Sequence, residues 1–180
     1  MRVISGTARS VPLKTIDGLA TRPTTDRVKT SMFNIIQFEI AGREVLDLFG
    51  GSGALGIEAL SRGAGSATFV DANPAAIAVI RENLQKTRLL DRATVVQREA
   101  LDFLRGCKNR YDLIFLDPPY EEKLLENALK CISEIDILKS RGIIICERPA
   151  EKASAGEYPG LTASKDYRYG KTVISLYRKE

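Results

Sequence analysis

Asp47-Leu48-Phe49-Gly50-Gly51-Ser52-Gly53-Ala54-Leu55-Gly56 is the segment on which the reading of this chain turns. It joins an apolar run, Glu44 to Phe49, to a helical pattern, Ala54 to Ser61. The run reads as a strand and the pattern as a helix. Gly51, Gly53 and Gly56 have G-x-G-x-x-G spacing, and Asp71 follows Gly51 by twenty residues. Glycines let a ligand approach the backbone closely. An acid at the tip of the next strand accepts hydrogen bonds from ribose hydroxyls. Strand, glycine turn, helix and acid, in that order, pass the context test for a nucleotide-type site. The spacing alone leaves a nicotinamide dinucleotide and S-adenosylmethionine both open, since each presents an adenosine ribose to that acid. Asp47 favours the second, because a carboxylate suits a cationic tail or a sulfonium better than a pyrophosphate. Phe49, Gly50 and Ser52 complete the candidate cofactor loop.

Outward from this loop, strand and helix patterns alternate. Ala67 to Val70 reads as a strand and Pro74 to Thr87 as a helix, with Asn73 as its cap and Pro74 at its first position. Ala93 to Gln97 is a strand, Ala100 to Leu104 a short helix, Tyr111 to Leu116 a strand, Leu124 to Ile132 a helix and Gly142 to Glu147 a strand. Such alternation predicts a parallel sheet covered on both faces. The end differs. Leu161 to Tyr167 and Lys171 to Arg178 read as an antiparallel pair around Arg168-Tyr169-Gly170. Before the sheet, residues 2–5 and 12–16 read as short strands. A helix capped by Thr24 or Thr25 follows, with Val28, Met32, Ile35, Ile36 and Ile40 on one face and Gly42 at its end. A parallel sheet that finishes in an antiparallel hairpin suggests a methyltransferase topology over a dehydrogenase one, by analogy of fold.

Asp117-Pro118-Pro119-Tyr120 lies just past the Tyr111 strand, where open α/β sheets bind ligands. The prolines lack N–H groups and have φ near −65°, so the turn is stiff. Asp117 and the Pro118 carbonyl can together hold an NH2 group, and Tyr120 offers a face for a base to stack on. Glu99 and Ala100 follow the third strand at the same edge. Glu99 either meets the adenine amino group or stands as a solvated carboxylate at a helix start. Asn83 reads as a surface residue of its helix.

At 180 residues the chain has the length of one ordinary domain. Its net charge of +4 permits a polyanionic partner without requiring one. The sequence holds no histidine, which excludes Ser-His and Cys-His catalysis and any His-ligated metal; no metal site is expected. Cys107, Cys131 and Cys146 are widely spaced and read as reduced thiols of a cytoplasmic protein. No run has the length of a membrane span, and the N-terminus lacks the apolar core of a signal peptide. Arg22, Arg27 and Lys29 sit where the N-terminal helix begins, with Thr24 between them. They read either as phosphate contacts or as a solvated basic face.

Arg22-Pro23-Thr24-Thr25-Asp26-Arg27-Val28-Lys29 with Phe33-Asn34, the Asp47–Gly56 loop continuing through Glu58-Ala59-Leu60-Ser61-Arg62-Gly63-Ala64, and Asp117 to Tyr120 together resemble the RsmD family. Tyr169-Gly170-Lys171-Thr172 sits where that family has a similar late segment. Thr30 and Gly50 depart from the pattern, which usually has Glu and Ala. These are bacterial 16S rRNA guanine-N2 methyltransferases that use S-adenosylmethionine. The resemblance implies a Rossmann-like class I fold with a mostly parallel seven-stranded sheet ending in an antiparallel hairpin. It implies an N-terminal extension, residues 1–41, packed on a core, residues 42–180. It assigns Asp117, Pro118, Pro119 and Tyr120 to catalysis. It assigns Asp47, Phe49, Gly50, Gly51, Ser52, Gly53, Asp71, Glu99 and Ala100 to the cofactor, and Arg22, Thr24, Arg27 and Lys29 to RNA. The partner is then 16S rRNA within the small ribosomal subunit, bound by a monomer. Three rivals stay open: an adenine-N6 or other amino-group methyltransferase, a nicotinamide-dependent oxidoreductase, and an RNA-binding module without activity.

Overall fold

The computed structural model describes residues 1–16, 26–119, 123–151 and 156–180. Helix α1 (Asp26–Ile35) precedes the sheet. Then β1 (Glu44–Asp47), α2 (Ala54–Ser61), β2 (Ser66–Asp71), α3 (Pro74–Thr87), β3 (Ala93–Gln97), α4 (Ala100–Gly106), β4 (Tyr111–Leu116), α5 (Leu124–Ile135) and β5 (Leu138–Pro149) alternate. Three strands close the chain: β6 (Thr162–Ala163), β7 (Tyr167–Tyr169) and β8 (Thr172–Arg178). The order across the sheet is β3-β2-β1-β4-β5-β8-β6, with β7 also paired to β8. Strands β1 to β5 pair parallel, and β8 is antiparallel to β5, β6 and β7. The fold is thus the expected Rossmann-like α/β sheet with an antiparallel end, with eight strands among the described residues where seven were expected, since β6 and β7 share the outer side of β8.

Side chains alternate between two buried clusters with the strand period of two. Val45, Phe69, Leu113, Phe115, Ile143 and Ile145 point to one side, beneath α1, α2 and α3. Leu46, Val70, Ile114, Leu116, Ile144 and Cys146 point to the other, beneath α4 and α5. This double burial explains why the central strands read as continuous apolar runs. Gly56 is the point of closest approach of α2 to the sheet. A Cβ there would lie 2.3 Å from Phe69 Cε1, so this glycine serves packing.

Three local expectations change. The N-terminal helix ends at Ile35, and turns carry the chain on to Gly42. Ile36 and Ile40 stay buried, and the Gly42 N–H donates to Gly63 O at 2.8 Å. Docking onto the turn after α2 therefore overrides continuation of the helix. The two N-terminal strands reduce to one antiparallel bridge, Arg2 to Pro12. The first arm of the terminal hairpin is broken into β6 and β7, and Asp166 between them pairs across to β5 and β8 while staying exposed. Its carboxylate accepts from Ser175 Oγ at 2.7 Å and from Arg148 Nη2 at 2.5 Å. The turn itself is Gly170-Lys171, flanked by the Tyr169–Thr172 pair. The expected capping residues Thr24 and Thr25 lie outside the described residues. Among the described residues no helix is long and apolar enough to cross a membrane.

Candidate active site

Strands β1 and β4 are neighbours, with Asp47 level with Phe115. Their following connections leave for opposite faces of the sheet, so a crevice opens beyond their carboxyl ends. A cleft of about 740 Å³ lies there. Asp47, Phe49, Gly51 and Asp71 line it, as do Asp117 and Pro119. The glycine loop and the proline turn therefore face one space. Pro118 is half-buried between Asp117 and Pro119. Tyr120, Arg22 and Thr24 lie outside the described residues.

The loop is held against the end of β2. The Gly51 N–H donates to Asp71 Oδ2 at 2.8 Å, and the Asn73 N–H donates to Asp71 Oδ1 at 2.9 Å. The tip of β2 is thereby tied to the loop, and Asn73 in turn caps α3 by accepting from the Ala75 N–H. The Gly50 N–H donates to Val70 O at 2.9 Å. Gly53 enters α2 with φ of +78°, which an L side chain rarely adopts. Gly50, Ser52, Glu99 and Ala100 line the cleft, whereas Gly53 is buried behind it.

Asp47 has a double duty. Helix α2 has no capping side chain at Gly53. Instead, Asp47 Oδ2 accepts from the Gly56 N–H at 3.0 Å, satisfying one of the free donors at the helix start. The carboxylate is only 2% exposed. Burial pushes its pKa up from 3.8 to about 7, the Gly56 N–H opposes this, and Asp117 and Asp71 add to it. A cleft lined, among the described residues, by Asp47, Asp71, Glu99, Asp102 and Asp117 against the single cationic side chain of Arg105 is suited to a cationic ligand.

The residues present fit S-adenosylmethionine. Asp71 stands at the β2 tip where a ribose would sit. Glycine backbone borders the cleft, and Asp47 offers negative charge to a sulfonium or an ammonium. Glu99 is exposed and makes no side-chain cap to α4, which leaves it directed to neither helix nor core.

Two residues take places the sequence reading did not give them. Lys29, expected at RNA, is fully buried. Its Nζ lies 3.4 Å from Glu58 Oε2 and donates to Arg2 O at 2.5 Å. Burial holds its pKa below the usual lysine range, with Glu58 opposing. A cation closed off from solvent cannot meet a phosphate, so Lys29 is corrected to a structural role. Glu58, also buried, accepts from the Ile4 and Ser5 N–H groups and from Arg62 Nε. The cluster fastens the N-terminal arm and α1 to α2. Its position was legible, since residues 29, 32, 33 and 36 share one helical face. Lys29→Met is expected to lower stability by about 2–4 kcal/mol, because Glu58 loses its buried partner. Denaturant unfolding measures this, and the salt dependence of RNA binding should not change.

Asn83 is the second. It is fully buried rather than at the surface. Its Oδ1 accepts from the Lys14 N–H at 2.8 Å, and its Nδ2 donates to Lys14 O at 3.0 Å and to Ser52 O at 2.8 Å. It lies on the same face of α3 as buried Ala76, Ile80 and Thr87. Through it the arm reaches the cleft, where Met1, Thr15 and Ile16 form part of the wall.

Helices α1 and α2 run side by side and parallel: Lys29 meets Glu58, and Arg62 lies 4.8 Å from the Phe33 ring centroid. Arg27, in the first turn of α1, is exposed. Thr30, where the family signature has Glu, donates to Asp26 O at 2.6 Å.

The family model described as Conserved hypothetical protein 95 matches residues 1–178. YlbH of Bacillus subtilis (strain 168) is 41% identical over 182 residues, covering 99% of each chain. Ribosomal RNA small subunit methyltransferase D of Escherichia coli (strain K12) is 32% identical over 180 residues, covering 100% of this chain and 90% of its own. The solved structure of yhhF from Escherichia coli superposes with a TM-score of 0.90 at 33% identity, covering 100% of this chain and 98% of that one. Matched by that family model over residues 1–178 and by these relatives over nearly its whole length, the protein belongs to the RsmD, YlbH and yhhF family and is an S-adenosylmethionine-dependent methyltransferase.

Proposed function

We propose that this enzyme methylates the exocyclic N2 amine of a guanine in 16S rRNA of the small ribosomal subunit. The observation that carries the reading is the meeting of two corners: Asp117 and Pro119 line the same cleft as the glycine loop. The names of the relatives from Escherichia coli and Haemophilus influenzae support the choice of small-subunit rRNA.

The amine of guanine is a weak nucleophile because its lone pair is spread into the ring. Its two N–H groups match two acceptors, Asp117 and the Pro118 carbonyl. Holding both fixes the nitrogen and favours a pyramidal geometry with a more available lone pair. Bound S-adenosylmethionine supplies an electrophilic methyl carbon on a sulfonium. Asp71 would hold its ribose, Asp47 its cationic end, and Phe49, Gly50, Gly51, Ser52, Glu99 and Ala100 its surroundings, with Gly53 shaping the loop from behind. The contribution left to the protein is alignment, worth several kcal/mol of barrier. The amine needs no prior deprotonation. It becomes acidic as it is alkylated, and Asp117 or water then accepts the proton. Chemistry of this kind needs no imidazole, in keeping with a chain without histidine.

A base enters such a pocket only when unstacked, so the target must be looped out or flipped. Tyr120 is assigned to stack on it. Residues 1–41 act in this reading as an extension that reaches the RNA through Arg22, Thr24 and Arg27. The protein works as a cytoplasmic monomer. The shared Asp-Pro-Pro-Tyr segment makes the amino group of adenine the competing acceptor.

Incubating the enzyme with methyl-labelled cofactor and small ribosomal subunits, then mapping the label by nuclease digestion and mass spectrometry, tests the reading. Label on N2 of one guanine is expected. Label on N6 of adenine, or none in ribosomal RNA, refutes it. Calorimetry should show binding of S-adenosylmethionine and none of a nicotinamide dinucleotide.

A further inference from the structure

We infer that the Gly170-Lys171 hairpin tip, on the same sheet edge as the acceptor site, grips RNA phosphates flanking the target base. This rests on the reading that the acceptor is ribosomal RNA. The register of the sheet places the tip. Leu116 of β4 is level with Cys146 of β5, and Cys146 with Ser175 of β8. Pro149 stands three residues beyond Cys146 and pairs with Thr172. The Ala150 N–H then donates to Lys171 O at 2.9 Å. The tip therefore projects from the same sheet edge as Asp117 to Pro119. It stands two to three strands away and about three residues further along them, on the order of 15 Å, given the ordinary strand spacing and rise. A few RNA nucleotides span such a distance, so phosphates flanking a captured base come within reach.

Charge and rigidity agree with this placement. Lys165, Arg168 and Lys171 are all exposed. Among the described residues none of the three is in an ion pair. The one acid of this segment, Asp166, is occupied by Arg148 and Ser175. The positive charge is thus left facing solvent. Tyr167 and Tyr169 alternate with Arg168 and pack against the buried cluster on the α1 side. They pin β7 down and leave Arg168 on the other side of the strand. Gly170 has φ of +60°, which allows the two-residue turn. A rigid, cationic, two-stranded ribbon beside a base-sized cleft is matched to a polyanion.

The double variant R168A/K171A tests the inference. Both side chains are exposed, so the thermal midpoint and S-adenosylmethionine affinity should equal those of the wild type. The Km for small ribosomal subunits should rise at least tenfold. The slope of log affinity for a fluorescein-labelled 16S rRNA transcript against log salt should shrink by roughly 1.5, the value for two lost phosphate contacts. R168K/K171R should restore both. An unchanged Km and salt slope in R168A/K171A, alongside a wild type that methylates ribosomal RNA, overturns the hairpin contact alone. A wild type that neither binds nor methylates ribosomal RNA overturns the hairpin contact and the parent reading together.

Discussion

Asp117→Ala is expected to reduce methyl transfer by about 1,000-fold, an effect of the size seen when one positioning hydrogen bond is removed from a pre-organised site. Asp117 lines the cleft at the end of β4, two residues past Phe115, which is level with Asp47. In the proposed mechanism it meets the acceptor, while Asp71 holds the ribose. Cofactor affinity measured by calorimetry should therefore stay nearly constant while single-turnover methylation collapses. Asp117→Asn keeps an acceptor oxygen at the same place and should lose less, about 10–100-fold, because a neutral hydrogen bond replaces a charged one. Equal losses in the two variants would point to charge rather than geometry. Normal turnover in Asp117→Ala would remove the amine grip from the mechanism.

The second large effect belongs to Asp47, and its signature is pH dependence. The folded pKa, about 7, lies above the ordinary 3.8. A carboxyl raised in this way binds its proton more tightly folded than unfolded. The stability it confers is fully present below the ordinary value and is lost as pH rises through about 7. The loss is on the order of 4 kcal/mol for the cofactor-free protein. Asp47→Asn cannot ionise and still offers an oxygen to the Gly56 N–H. It should therefore melt about 10 °C above the wild type at pH 8, and close to it at pH 4, in differential scanning calorimetry. The same change should weaken S-adenosylmethionine binding about 10–100-fold at pH 8, since a charge facing a cation is lost. In the wild type a cationic ligand favours the ionised carboxylate. Affinity should climb through pH 7 with release of a proton, and that slope should vanish in Asp47→Asn. A melting difference independent of pH would remove Asp47 ionisation from the account.

Much of this was readable along the chain. The bounds of α2, α3, β3 and β4 follow from hydrophobic runs cut by Gly, Asn-Pro and Asp-Pro, because such local signals act through dihedrals and caps that neighbours in sequence supply. Gly51 to Gly56 and Asp71 placed the nucleotide-type site for the same reason: a tight turn and a strand tip are local objects. The broken arm of the hairpin was not readable, because Asp166 leaves the strand for Arg148 and Ser175, partners distant in sequence.

The failures at Lys29 and Asn83 share one cause. Both were judged by residue type, and a polar type usually means solvent. Each in fact lies on the buried face of its helix, where partners from the N-terminal arm satisfy it. The sequence alone determined the order of elements, the glycine loop and the stiff acidic turn, since these depend on neighbouring residues. Only the tertiary structure decided which polar groups are buried and that the arm walls the cleft. Desolvation and long-range pairing set those outcomes, and both arise only when distant segments meet.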